Sequence, residues 1–134
     1  MKNTIVVAAI VLLVGLLVGF VPQYVRANRL DSQLQQASRE NSGAQLRDLA
    51  GLAYVQANQK NYGLAAATCT RFFDRAREVA NQMGDANQKK AIEDLLASRD
   101  RVTAALAKGD AGVMNDLQDL FTKTRQATRA PGEP

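Results

Sequence analysis

Apolar and polar positions change rhythm sharply along this chain. From Thr4 to Val21 the residues are apolar on every helical face, with no polar stripe. Eighteen residues at 1.5 Å rise make roughly 27 Å of helix, close to a bilayer's hydrocarbon core. The run is flanked by Lys2 on one side and by Arg26 and Arg29 on the other. The expectation is a single transmembrane anchor over 4–21, in the manner of a bacterial inner-membrane protein, with Arg26 and Arg29 at the lipid headgroups. Val25-Arg26-Ala27 loosely resembles a signal-cleavage site, but the run exceeds the core of a signal peptide, which favours a retained anchor. The flanking charges leave open which side of the membrane holds residues 22–134. Gly15 and Gly19 have the small-xxx-small spacing that lets two helices approach closely.

Beyond Pro22 the pattern becomes amphipathic. Leu30, Leu34 and Ala37 fall at four- and three-residue spacing and predict a helical stalk over 22–41 that fades at Asn41. Ser42 followed three residues later by Gln45 reads as a capping box, so a first domain helix is expected there, with Leu46, Leu49, Ala50, Leu52 and Ala53 inward. Asn58-Gln59-Lys60-Asn61 reads as a turn. A second helix carries Tyr62, Ala65, Ala66, Cys69, Phe72, Phe73, Ala76, Val79, Ala80 and Met83 on one wide stripe and stops near Gly84. Asp85 then caps a third helix that buries Ala91, Ile92, Leu95, Leu96, Val102 and Leu106. Lys108-Gly109-Asp110 ends it and restarts a fourth, with Val113, Met114, Leu117, Leu120 and Phe121 inward. Short connections favour antiparallel neighbours. The expected fold is therefore all-α: a transmembrane helix, a stalk, a four-helix domain of two antiparallel hairpins over 42–126, and a disordered tail over 127–134.

The segment from Leu49 to Phe72 resembles one tetratricopeptide repeat. It carries Leu49, Leu52 and Ala53, a turn, then Tyr62, Ala65, Cys69 and Phe72 at the family's spacing. The resemblance implies that Ala53 and Ala65 let two helices pack closely, while Leu49, Leu52, Tyr62 and Phe72 fill the space around them. Gln56 stands where an aromatic is usual, and Cys69 where a larger apolar residue is usual. The resemblance covers a single unit, and it implies a protein-binding scaffold rather than an enzyme.

Composition narrows the chemistry. Few β-branched residues follow Val25, and there is no Trp, so helix formers dominate. The net charge of +4 is not concentrated, because residues 85–134 hold eight basic and eight acidic side chains. That distribution lacks the clustered Lys and Arg of a nucleic-acid footprint. The chain contains no histidine, which removes the commonest general base and metal ligand. Cys69, the one thiol, lies mid-stripe, where burial would make it inert. Asp116 and Asp119, and Glu93 and Asp94, each have a nearby basic residue as a simpler partner than a substrate. No catalytic, cofactor or metal site is expected. Arg71, Arg75 and Glu78 follow one edge of the second helix and form a candidate partner surface. The reading is a membrane-tethered helical interaction module, a scaffold or accessory subunit with a protein partner. A self-associating structural protein, a homo-oligomer of the envelope, is the alternative.

Overall fold

In a computed structural model, residues 1–129 are described, except for the side chains of 16–23. The described residues form five helices and no strand: α1 Lys2–Asn58, α2 Tyr62–Gln82, α3 Ala86–Leu96, α4 Arg99–Ala107 and α5 Val113–Ala127. The chain divides into two units, Met1–Ser38 and Arg39–Pro134.

The first unit is helix alone, and every described side chain in it is exposed. The expected single-pass membrane placement is corrected here. Among the described residues, no helix is long and apolar enough to cross a membrane. From Tyr24 onward α1 carries Arg26, Asn28, Arg29 and Asp31. Gly19 and the tail 130–134 lie outside the described residues.

The second unit holds the core. A helix start at Ser42 was expected; instead α1 runs through it, and the serine is buried as an acceptor for Arg75. Continuous helix satisfies the backbone N–H groups that a capping box would otherwise have to satisfy. The core is built from Leu46, Ala50, Ala53 and Ala57 of α1 and from the α2 stripe Ala65, Cys69, Phe72, Ala76 and Val79. Ile92, Leu95, Val102, Leu106, Leu117 and Leu120 complete it. Arg47 closes α1 onto the end of α5, donating to the Thr128 carbonyl at 3.0 Å and its Oγ1 at 2.9 Å.

The turn between α1 and α2 falls where the sequence places it. Asn61 N–H donates to the Gln56 carbonyl and Lys60 N–H to that of Ala57, with Lys60 left-handed at φ 60°. The same pair of bonds recurs after α4, from Asp110 to Ala105 and from Gly109 to Leu106, with Gly109 at φ 64°. Both are Schellman endings, and only the second uses the residue that adopts this conformation without steric cost. Asp85 caps α3 as expected, accepting from Gln88 N–H at 2.8 Å.

Two further expectations change. The single third helix is broken at Ala97 and Ser98 into α3 and α4, with Ser98 Oγ donating to the Leu95 carbonyl at 2.8 Å. A serine hydroxyl competing for a helical carbonyl weakens helix continuity locally. The four-helix domain thus becomes five helices in all, the first of which merges the expected anchor, stalk and first domain helix. Leu52 points outward at 43% exposure, whereas Ala53, Ala65 and Phe72 are fully buried.

Candidate interaction groove

The second unit carries an open groove of about 510 Å³ between the last third of α1 and the middle of α2. Gln45, Asp48 and Leu49 line it from α1, and Arg71, Asp74, Arg75 and Glu78 from α2. Each set is spaced by three and four residues, which is one helical face. The two helices run antiparallel about the turn at residues 59–61, so positions roughly equidistant from the turn come side by side.

Arg75 organises the groove. Its Nη1 donates to Glu78 at 2.9 Å and its Nη2 to the buried Ser42 hydroxyl at 3.2 Å. Its Nε is buried without a partner among the described residues. The guanidinium is therefore fixed in direction, and the ion pair it makes is a short i,i+3 contact at a partly exposed site. Asp74 faces Arg99 of α4 at 3.9 Å. Among the described residues Arg71 and Asp48 form no ion pair, and Arg71 is exposed. The groove thus presents one unengaged guanidinium and one unengaged carboxylate beside the apolar Leu49. An Arg fork in that setting is suited to a partner carboxylate.

The structure brings the expected Arg71 and Arg75 together in this groove. Arg26, Arg29 and Gly15 stand exposed on α1, and a Cβ at Gly15 would meet nothing within 4 Å. The sequence marks Gln45 only as part of a helix start and Leu49 only as a packing residue, and it does not mark Asp48 or Asp74. Folding the hairpin about Lys60 would have set the 45–49 face of α1 against the 71–75 face of α2, a signal present in the turn and the spacing.

The two carboxylate pairs that the sequence offers, Asp116 with Asp119 and Glu93 with Asp94, have basic partners. Asp116 pairs with Arg101 at 3.1 Å and Asp119 with Lys123 at 2.7 Å. Lys90 pairs with Asp94 at 3.1 Å, and Lys89 with Glu93 at 3.9 Å. Among the described residues, no group of three or more metal-ligating side chains gathers. Cys69 is buried at 1% exposure, and burial pushes its thiol from 9.0 to about 11.

That shift makes stability depend on pH. Between pH 9 and 11 the unfolded chain ionises the thiol while the fold keeps it protonated, so the unfolded state binds fewer protons and stability falls as pH rises. A shift of that size corresponds to a loss of about 2 to 3 kcal/mol across that window. Urea melts at pH 8 and 11 are expected to show this extra loss in the wild type and not in Cys69→Ala; equal losses in both would contradict it.

Compared with protein-family models, curated proteins and solved structures, this chain matches none.

Proposed function

We propose that this chain is a helical protein-interaction module, a scaffold or accessory subunit, and that its partner docks in the groove between α1 and α2. The observation that carries this reading is the pairing of a fixed Arg75 with an unengaged Arg71 along an open groove on a well-packed hairpin. The tetratricopeptide resemblance of Leu49 to Phe72 supports the same reading, since a hairpin of that kind serves as a binding surface. Ala53 and Ala65 are fully buried, as close helix packing requires. The partner segment is expected to be extended or helical, with a carboxylate that Arg71 receives. An Arg–carboxylate contact made in a groove costs more to lose than a rim contact, because its partner is left desolvated.

The test is affinity purification of the full chain beside its Arg71→Glu variant. Arg71 is exposed and unpaired, so the variant is expected to keep its circular dichroism and melting profile. A foreign protein recovered in near-equal amount with the wild type, and at least tenfold less with Arg71→Glu, is the expected result. Equal recovery by both proteins would remove the groove from the reading. Recovery of this chain with only itself would favour the self-associating alternative.

A further inference from the structure

Much of helix α1 takes no part in the core that its last residues help to build. Up to Asn41 every described side chain of α1 is exposed. Isolated helices owe most of their stability in proteins to packing of an apolar face. Leu30 and Leu34 stand at 60% and 62% exposure, and Leu13 at 63%. These residues share one heptad register. With Ala27 and Leu34 at position a, Leu30 and Ala37 fall at d, and because the helix is unbroken Leu13 and Val6 are again at a, two and three heptads earlier.

The charges flanking this seam are complementary between copies. In the same register Arg26 occupies g and Asp31 occupies e. In a parallel two-stranded coiled coil, a g residue lies beside the e residue five positions later on the facing helix. Arg26 of each copy would therefore meet Asp31 of the other, twice by two-fold symmetry. Within one helix, residues five apart do not face each other, and among the described residues neither forms an ion pair in the single chain. Antiparallel pairing sets g against g and e against e, and would keep Arg26 and Asp31 apart.

We propose that α1 pairs in parallel and in register with α1 of a second copy of this chain, through the Ala27, Leu30, Leu34 and Ala37 seam and reciprocal Arg26–Asp31 contacts. The proposal stands independently of the α1–α2 groove. It gives the free half of α1 a role as a dimerisation arm and would present two grooves per assembly.

The seam residues lie outside the core, so they can be changed without unfolding the second unit, which circular dichroism would verify. Sedimentation equilibrium of the full chain is expected to show a dimer. Arg26→Glu is expected to weaken it about tenfold, and the double change Arg26→Glu with Asp31→Arg to restore it. Direction is read by oxidation: Leu30→Cys and Ala37→Cys are expected to give covalent dimers, and Ser32→Cys, at the outer f position, is not. Cys69 is buried and leaves these readings undisturbed. A monomeric chain would overturn the proposal. So would association seen only as co-sedimentation with phosphatidylglycerol vesicles, crosslinking equally strong at position 32, or a charge swap that fails to restore what Arg26→Glu weakens.

Discussion

Phe72→Ala is expected to destabilise the second unit by about 3 to 5 kcal/mol, the range for removing a fully buried aromatic ring. Phe72 is 0% exposed, and its ring meets that of Phe73 edge-on at 5.2 Å, with 79° between planes. It sits mid-stripe on α2, the helix that contacts both α3 and α4. The loss therefore combines the transfer of a large apolar group, a residual cavity and an aromatic pair. A domain of this size has about 5 to 15 kcal/mol of stability in all. The variant should thus lie near the folding threshold at physiological temperature. Urea denaturation would read the change as a lower midpoint with an unchanged slope. Leu64→Ala, at a half-exposed position on the same helix, serves as the control and should shift stability far less. Comparable losses at the two positions would contradict the placement of Phe72 in the core.

Thr68→Val is expected to cost about 1 to 3 kcal/mol although it preserves side-chain shape. Thr68 is 1% exposed, and its hydroxyl donates to the Gln56 amide oxygen at 2.7 Å across the α1–α2 hairpin. Gln56 is itself buried at 8% exposure. Valine leaves that oxygen buried without a donor, and the cost of an orphaned buried group exceeds the net worth of the bond it made. Gln56→Leu should be destabilising for the reciprocal reason. Combining the two removes both polar groups at once, so the double variant is expected to be more stable than the sum of the singles predicts, with a coupling of about 1 kcal/mol or more. Additive losses would show that the two groups act independently.

Much of the second unit was legible in the residues. The α2 stripe, the Asp85 cap and the Gly109 ending all fall where spacing and local chemistry place them, because each depends on contacts within a few residues. The inertness expected of Cys69 agrees with its burial and its raised thiol pKa. Local pattern and structure part in opposite directions at Ser42 and within the expected third helix. A capping-box pattern at Ser42 did not start a helix, since α1 arrives already formed and Arg75, from another helix, takes the serine as its acceptor. A hydrophobic stripe that runs on past Ser98 did not keep one helix whole, since periodicity cannot report a break that leaves Ile92, Leu95, Val102 and Leu106 all in one core. The candidate groove was half legible. Arg71 and Arg75 stood out as basic residues on one edge, but their companions on α1 are 22 to 30 residues away and are set beside them only by the hairpin.

By itself, the sequence determined that this protein is helical, where α2 and α5 turn their apolar faces, how the hairpin reverses at Lys60, and that histidine-based chemistry is absent. Those properties follow from local propensity, capping and the 3.6-residue period. The tertiary structure alone decided that the apolar N-terminal run, the expected stalk and the expected first domain helix are one continuous α1, that Leu52 faces outward while Ala53 is buried, and that Arg75 is fixed between Ser42 and Glu78. Each of these depends on which distant helix occupies the space alongside, a choice made by the summed packing of the whole core.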